Sequence, residues 1–272
     1  MNFKFFEGGT IIIKLICSDL DGTLLDDAGN LQVGFYDTIK MLNEKGITFV
    51  PASGRLYGTL NHTFSNSDFP LLFIAHNGAL VQYSNDGKEI YKNTIEPSQV
   101  KKAVKVLKQL NLQIYLCTKT FAYVENPSKI MLSSFEKGDM PAVLVDNLED
   151  SFSDIYRIGV YDPNKIKKST LHQVKEMLGD EFEYMLGGEI WLDIMNKGVN
   201  KGNAIKKIQE KFSISKIETM VFGDYYNDIS MLNAATYSYA MGNAPDDVKK
   251  HAKFITKSNN NNSVIKTILA NC

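Results

Sequence analysis

Short apolar runs alternate with amphipathic segments over the first 80 residues of the chain. An isoleucine-rich run spans 11–18, and apolar residues recur at helical spacing over 33–44. Two further apolar runs, 47–52 and 71–75, flank a segment of helical character at 55–64. Continuous apolar runs of this length are typical of central strands that are covered on both faces. The pattern predicts strand–helix–strand–helix–strand order in a parallel sheet with right-handed crossovers.

The middle of the chain has a different pattern, in which hairpin signals are frequent. Ser84-Asn85-Asp86-Gly87 lies between two strand-like runs, and Gly187-Gly188 separates another such pair. Between the two hairpins, the pattern predicts helices over 97–110, 128–136 and 164–178, and strands over 113–117, 121–124 and 155–161. We therefore expect a separate α+β unit with an antiparallel sheet here.

The alternation of strands and helices returns after residue 195, with predicted helices at 201–212, 227–234, 246–251 and 263–270 and strands at 219–222 and 237–241. The predicted fold class is therefore α/β. It is a Rossmann-like parallel-sheet core, residues 1–81 and 191–272, interrupted by an α+β cap domain, residues 82–190. Residues 1–10 are predicted to precede the first strand as an extension.

Charge and composition narrow the classes of partner. The 272 residues include 30 Lys plus Arg and 31 Asp plus Glu, a formal net charge of −1, so the basic excess of a nucleic-acid-binding protein is missing. The early apolar run is too short to span a bilayer, and no cleavage signal follows it. Three cysteines without metal-ligand or redox spacing fit a reducing compartment. We expect a cytoplasmic monomer or homodimer with no nucleic-acid or membrane partner.

Two carboxylates follow the first apolar run, in Asp19-Leu20-Asp21-Gly22-Thr23. In an extended chain they point to the same side, just beyond the carboxyl end of the strand, where open α/β sheets bind ligands. A divalent cation relieves the repulsion between them, and oxygen ligands suit Mg²⁺. Gly22 permits a sharp turn and lets backbone amides approach an anion. An ordinary Asp-Gly turn with a solvated neighbouring Asp is the alternative.

A second acidic pair, Asp224 and Asp228, follows the apolar run 220–222 in Gly-Asp-Tyr-Tyr-Asn-Asp. Asn227 or Asp228 also fits the first turn of a helix, where such residues cap the helix and complement its dipole. That explanation does not account for a second strand that ends in a carboxylate.

Two segments are candidate phosphate contacts. Ser53-Gly54-Arg55 follows the second strand and combines a hydroxyl, a flexible glycine and a helix N-terminus, which together can bind an anion. Lys201 lies at the start of a predicted helix, where the dipole disfavours a cation unless an anion is near. A simple helix cap and a solvated surface lysine are the respective alternatives.

These four segments, in this order, resemble the signatures of the haloacid dehalogenase superfamily. Asp19, Asp21 and Thr23 match its Asp-x-Asp-x-Thr signature, and Ser53, Lys201 and the acidic pair match the other three. Ser-Gly-Arg, Asn-Gly-Ala at 77–79 and Lys-Gly-Asn at 201–203 are similar to the Cof-type phosphatases in particular. The segment between the second and third signatures resembles their large α/β cap.

The resemblance implies Mg²⁺-dependent hydrolysis of small phosphomonoesters, such as sugar phosphates or cofactor and nucleotide monophosphates. The reaction would pass through an aspartyl-phosphate. The resemblance assigns catalytic roles to Asp19 as the nucleophile, to Asp21 as the general acid and base, and to Lys201. The implied metal ligands are Asp19, the main-chain carbonyl of Asp21, Asp224 and Asp228. The implied phosphate or substrate contacts are Leu20, Ser53, Gly54, Arg55, Asn77 and Asn227. Glu125 or Asp193 is a further candidate for contact with the leaving group.

Three other functions remain open from the sequence. A phosphomutase or phosphotransferase would use the same core, and a receiver-like signalling module would hold phosphate without turnover. A phosphatase-like protein kept for binding a partner is the third. A dehalogenase, which needs no Mg²⁺, is disfavoured by the pairing of Asp21 with Asp224.

Overall fold

The computed structural model describes residues 12–110, 112–150, 152–187 and 189–272. The predicted extension over residues 1–10, the first residue of the predicted first strand and Gly188 of the predicted second turn lie outside these ranges.

Apart from two short strands at 142–144 and 254–255, which were not predicted, the strands and helices fall close to the predicted positions. The strands are β1 Leu15–Ser18, β2 Thr48–Pro51, β3 Leu72–Ala75, β4 Leu80–Tyr83, β5 Glu89–Lys92, β6 Gln113–Cys117, β7 Ala122–Val124, β8 Ala142–Leu144, β9 Arg157–Tyr161, β10 Phe182–Leu186, β11 Trp191–Asn196, β12 Thr219–Gly223, β13 Tyr237–Ala240 and β14 Phe254–Ile255. The helices are α1 Phe35–Glu44, α2 Tyr57–Thr63, α3 Pro97–Lys108, α4 Lys129–Lys137, α5 Lys168–Leu178, α6 Lys201–Phe212, α7 Ile229–Leu232, α8 Asp246–Lys249 and α9 Ser263–Leu269. None of the helices in the described ranges has the length and apolar character needed to cross a membrane.

The chain packs as two compact units, and each contains its own sheet. The described part of the first unit is residues 12–51 and 205–272, and the second unit runs from Ala52 to Ala204. Segments 52–81 and 191–204, which the sequence assigns to the core, therefore pack with the middle of the chain. Packing does not define where an insertion begins, so the domain boundaries stay a prediction.

The first unit is built on a five-stranded sheet with the order β14-β13-β12-β1-β2. Each neighbouring pair is parallel, as the apolar runs predict. All residues of β1 and β12 are buried, because strands at the centre of such a sheet are covered on both faces. The sheet thus joins strands from the beginning and from the end of the described chain.

The second unit contains a six-stranded sheet with the order β10-β11-β9-β6-β7-β8. Its pairs are antiparallel except for β7 with β8. Apolar side chains of α3, among them Val100, Val104 and Leu107, form a buried cluster with Ile114 and Ile158 of this sheet. The α+β character predicted for the middle of the chain is confirmed.

The third predicted strand is a partial error. We expected 71–75 to join the parallel sheet, but β3 pairs antiparallel with β4 in a separate sheet, β3-β4-β5. A parallel bridge between Ala52 and Ile74 connects β3 to the segment that follows β2. The cause is the tight turn at 76–78, where His76 and Asn77 have φ of 51° and 54° and reverse the chain directly into β4.

Candidate active site

Three aspartates converge at the carboxyl edge of the parallel sheet in the first unit. Because β1 and β12 are neighbouring parallel strands, the segments that leave them lie side by side. Asp19 directly follows β1, Asp224 directly follows β12, and Asp228 directly precedes α7. One carboxylate oxygen of each lies within 4.8 Å of one oxygen of each of the others. The structure therefore brings together acidic residues that are about 200 positions apart in sequence.

Asp19 extends β1 by one residue before the chain turns. Its backbone N–H donates to the carbonyl of Phe222 over 2.9 Å, and its side chain is buried. The turn over Leu20–Leu24 requires glycine at its centre, since Gly22 has a φ of +78°. A Cβ at Gly22 would also overlap the carboxylate of Asp224. Gly22 thus allows the first acidic loop to approach the second.

Both oxygens of the Asp224 carboxylate accept hydrogen bonds from neighbouring loops. The Thr23 hydroxyl donates to Oδ1 over 2.9 Å, and Nδ2 of Asn243 lies 3.4 Å from Oδ2. From the sequence, Thr23 is part of the first motif but has no assigned structural role, and Asn243 is not identified. A usable signal existed, because Asn243 follows β13, another strand of the same parallel sheet.

Asp228 shapes the loop that carries Asp224. Its side chain is buried, and its Oδ2 accepts backbone N–H groups from Asp224 and Tyr225 over 2.9 and 3.1 Å. A Cβ at Gly223 would lie 2.6 Å from Cβ of Asp228, so the glycine makes room for it. Asn227, a predicted phosphate contact, is half-buried in the same turn.

The donor set of this cluster fits Mg²⁺. Carboxylates held this close repel one another, and removing them from water raises the cost of their charge unless a cation compensates. Hard oxygen donors are the ligands that Mg²⁺ and Ca²⁺ take in proteins. The side chain of Asp21 is exposed and lies outside the three-carboxylate group. The main-chain carbonyl of Asp21 stays a ligand that only the resemblance implies.

Ser53, Gly54 and Asn77 form one compact arrangement in the second unit. The Ser53 N–H donates to the carbonyl of Ile74 over 2.9 Å, and the Asn77 N–H donates to the carbonyl of Ser53 over 3.0 Å. A Cβ at Gly54 would lie 3.0 Å from Oδ1 of Asn77. Ser53 and Asn77 are both buried. The structure therefore brings three of the predicted phosphate or substrate contacts together.

The predicted helix start beside Ser53 is wrong. The sequence suggests a helix from Arg55 with Ser53 at its N-terminus, but α2 begins at Tyr57. Leu56, the preceding residue, has an extended backbone with φ of −62° and ψ of 150°. The Ser53 hydroxyl instead accepts the N–H of Arg55 over 3.2 Å. Any anion bound by Ser53-Gly54-Arg55 would therefore contact a loop rather than a helix terminus.

Lys201 is the first residue of α6 and is fully buried. A Cβ at Gly78 would overlap the backbone carbonyl of Asn200, so the 76–78 turn packs directly against the start of α6. A buried ammonium group needs compensating negative charge. This environment is compatible with the phosphate-binding role that the resemblance implies for Lys201.

A buried ion pair supports Asn77. Oδ2 of Asp193 accepts Nδ2 of Asn77 over 2.9 Å and Nη1 of Arg157 over 2.6 Å. Burial raises the pKa of the Asp193 carboxyl, and the adjacent guanidinium opposes that shift. Asp193, a candidate leaving-group contact in the sequence, therefore binds two side chains of its own unit.

Comparisons with known proteins agree with the motifs and with the fold. The profile of the haloacid dehalogenase-like hydrolases matches residues 16–268. The chain is 30% identical to 5-amino-6-(5-phospho-D-ribitylamino)uracil phosphatase YbjI of Escherichia coli, over 94% of this chain and 95% of that protein.

Two solved structures illustrate the likeness in fold. SMU.1108c from Streptococcus mutans superimposes with a TM-score of 0.85 at 25% identity, over 95% of this chain and 98% of that one. The subclass IIB sugar phosphatase BT4131 superimposes with a TM-score of 0.79 at 23% identity, over 94% and 98% of the two chains. With acidic motifs at the sheet edge and a family profile that spans nearly the whole chain, this protein belongs to the haloacid dehalogenase-like hydrolases as a Cof-type phosphatase.

Proposed function

We propose that this phosphatase hydrolyses small phosphorylated metabolites, namely sugar phosphates or cofactor and nucleotide monophosphates, with Mg²⁺ and through an aspartyl-phosphate on Asp19. The observation that carries the proposal is the convergence of Asp19, Asp224 and Asp228 within 4.8 Å at the ends of β1 and β12. Bound Mg²⁺ would supply positive charge that offsets both these carboxylates and the phosphate ester.

In the first half of the reaction, the Asp19 carboxylate forms a bond to phosphorus as the bond from phosphorus to the ester oxygen breaks. Asp19 suits this role because its backbone is held in the sheet ladder by the Phe222 carbonyl. A nucleophile held in place needs less reorganisation before attack. The backbone amides of Leu20 and Asp21 would donate to the phosphoryl oxygens.

Asp21 is the proposed general acid and general base. It gives a proton to the departing ester oxygen, which leaves as an alcohol. It then takes a proton from the attacking water, whose oxygen bonds to phosphorus as the bond to Asp19 breaks and inorganic phosphate leaves. Its exposure, two residues after the buried Asp19, suits a group that must exchange protons with water.

The remaining predicted contacts supply charge and hydrogen bonds. Lys201 would neutralise phosphoryl oxygens, and Ser53, Gly54 and Asn227 would hydrogen-bond to them. Arg55 and Asn77 would contact the leaving group. The Asp193–Arg157 pair favours this role for Asn77, because it fixes the carboxamide of that residue.

The named relatives suggest which substrates to test first. The Escherichia coli relative acts on 5-amino-6-(5-phospho-D-ribitylamino)uracil, and BT4131 is named as a sugar phosphatase. Both names describe a phosphomonoester on a small polar molecule. A panel of sugar phosphates, nucleoside monophosphates, flavin mononucleotide, pyridoxal phosphate and the ribitylaminouracil phosphate spans this class.

The decisive experiment measures phosphate release from an aryl phosphate and from this panel, with Mg²⁺ and with a chelator. We expect Mg²⁺-dependent turnover that Asp19→Asn lowers by about 10³-fold or more, as removal of a covalent nucleophile does. Asp37→Asn, an exposed aspartate on α1, removes the same charge and should keep wild-type turnover.

Four results would contradict the proposal. Wild-type turnover in Asp19→Asn would exclude Asp19 as the nucleophile, and full activity after chelation would exclude the metal requirement. Transfer to an added alcohol in excess of free phosphate would identify a phosphotransferase instead. A stable phosphoprotein without turnover would indicate a signalling module.

A further inference from the structure

Asn243 bridges the two loops that carry the acidic cluster. It follows β13 and precedes α8, in Gly242-Asn243-Ala244. Its Nδ2 donates to the main-chain carbonyl of Gly22 over 2.8 Å and lies 3.4 Å from Oδ2 of Asp224. One carboxamide therefore contacts both the turn after Asp19 and the second acidic segment. Asn243 lies outside all four family signatures.

The orientation of the Asn243 carboxamide is fixed by a third loop. The backbone N–H of Asn259 donates to Oδ1 of Asn243 over 3.2 Å. Because Oδ1 accepts this bond, Nδ2 must be the atom that faces Gly22 and Asp224. The side chain thus presents donors to the acidic loops rather than an acceptor.

Asn259 is itself held firmly. It is buried, and its Nδ2 donates to the carbonyl of Leu25 over 3.0 Å and to Oδ1 of Asp27 over 2.9 Å. The carbonyl of Asn259 also lies 3.3 Å from Nε2 of Gln32, which donates to the Thr23 carbonyl over 2.9 Å. The loop that orients Asn243 is therefore tied to the same turn that Asn243 contacts.

The close approach of Gly22 to Asp224 explains why such a bridge matters. There is no room for a Cβ between them. The Gly22 carbonyl and the Asp224 carboxylate are both acceptors, so side by side they repel unless a donor lies between them. The Asn243 amide supplies that donor, and Thr23 holds the other oxygen of Asp224.

We propose that Asn243 is a positioning residue for the metal-binding carboxylates: it holds Asp224 and the turn after Asp19 at the separation that a divalent cation requires. The inference rests on the proposed function, because it assumes that the cluster binds Mg²⁺. Groups that orient metal ligands without touching the metal typically change metal affinity by 10- to 100-fold when they are removed.

The test is calorimetric titration of the full chain with Mg²⁺ alone, without substrate. We expect Asn243→Ala to raise the Kd for Mg²⁺ by about 10-fold or more. Its melting temperature without metal should stay near that of the wild type, because Asn243 is an exposed loop residue. At saturating Mg²⁺ the KM for the aryl phosphate should change less than two-fold. A purely structural role would lower the melting temperature and leave the Mg²⁺ affinity unchanged.

Asn261→Ala is the matched control, since Asn261 is an exposed asparagine whose side chain accepts a bond from Ser258. It should bind Mg²⁺ as the wild type does. Asn243→Ser, whose hydroxyl is too short to reach Gly22, should repeat the loss seen with Asn243→Ala. A Kd within two-fold of the wild type in both Asn243 variants would overturn the inference alone. A wild-type protein that gives no Mg²⁺ binding would overturn the proposed metal centre together with this inference.

Discussion

Individual residues at the sheet edge act mainly by allowing the two acidic loops to approach each other closely or by fixing them there. Gly22 allows the first acidic turn to touch Asp224, and Gly223 makes room for the side chain of Asp228. Asp228 in turn accepts two backbone amides of its own loop. The geometry of the carboxylates therefore depends on residues that carry no charge as much as on the aspartates.

Gly22→Ala tests the close approach between the first acidic turn and Asp224, and it also strains the backbone. Alanine at a φ of +78° costs about 1–2 kcal/mol of stability. Its Cβ must also displace the Asp224 carboxylate. A misplacement of this kind near reacting groups can cost about 100-fold in rate. We expect a fall of about that size in kcat/KM for the aryl phosphate, and a weaker Mg²⁺ affinity by calorimetry.

Gly29→Ala is the control for that strain. Gly29 has a φ of +82°, and nothing lies within 4 Å of a Cβ placed there. In urea unfolding, the Gly29→Ala variant should lose about as much stability as Gly22→Ala does, while its kcat/KM stays within two-fold of the wild type. Equal losses of activity in the two variants would contradict the role given to Gly22.

At the scale of elements, the apolar pattern predicted what depends on local sequence. Gln113–Cys117 and Lys201–Phe212 have the predicted bounds, because the apolar pattern of each segment is clear. β8 and β14 went unpredicted, since strands of three and two residues carry too little periodicity. The antiparallel pairing of β3 depends on two left-handed residues, His76 and Asn77, which apolar periodicity does not report.

In the candidate site too, features that depend on local sequence could be predicted, and features that depend on three-dimensional contacts could not. Asp19, Asp224 and Asp228 could be predicted because each follows a recognisable strand and matches a motif. Asn243 follows a strand but lies in no signature, and its contact with Gly22 is visible only in three dimensions. Asp193 was noticed, yet its pairing with Arg157 depends on the register of β11 against β9, in which Asp193 lies opposite Gly159.

The buried pair between β9 and β11 gives a prediction about stability. Arg157 and Asp193 are 7% and 3% exposed, so removing one partner leaves an uncompensated charge. The Arg157 guanidinium stays protonated, and its charge opposes the rise that burial causes in the pKa of Asp193. Asp193→Leu should lower the free energy of unfolding by about 3–5 kcal/mol, and Arg157→Met in the same chain should recover much of it. Urea unfolding measures both.

A surface pair provides the comparison for this prediction. Lys165 and Glu189 are 2.7 Å apart, with both side chains mostly exposed. Glu189→Ala should change the free energy of unfolding by less than about 1 kcal/mol. If Asp193→Leu cost no more than that, the ion pair would not be the element that fixes Asn77.

At the scale of the whole molecule, the parallel sheet joins the two ends of a chain that is interrupted by the second unit. Hydrogen bonds and an ion pair connect the segments next to the central strands β1 and β12 at both ends of these strands. At the carboxyl end, Thr23 and Asn243 link the two acidic loops. At the amino end, the Lys14 N–H donates to the Glu218 carbonyl over 2.8 Å, and the two side chains form an ion pair. The second tie is distant from the carboxylates, so it can be weakened without changing them.

Glu218 predicts how this junction responds to acid. A side-chain bond from Lys14, with further bonds from the hydroxyl and the N–H of Ser215, lowers the pKa of Glu218 from 4.5 to about 2. The folded protein therefore binds this proton less readily than the unfolded chain does. The ionised Glu218 carboxylate therefore contributes fully to the stability of the fold above pH 4.5, and this contribution is lost as the pH falls through about 2.

Melting curves of the wild type and of Glu218→Gln between pH 2 and pH 7 test this linkage. The wild type should melt at the higher temperature above pH 5, and the difference should shrink towards zero near pH 2. Glu210→Gln, which removes an exposed carboxylate that pairs with Lys207 on α6, controls for the loss of one surface charge. A difference that stays constant across this range would show that the ion pair between Lys14 and Glu218 does not hold the two ends of the chain together. Because the junction lies at the amino end of the strands, Glu218→Gln should leave the Mg²⁺ affinity at their carboxyl ends unchanged.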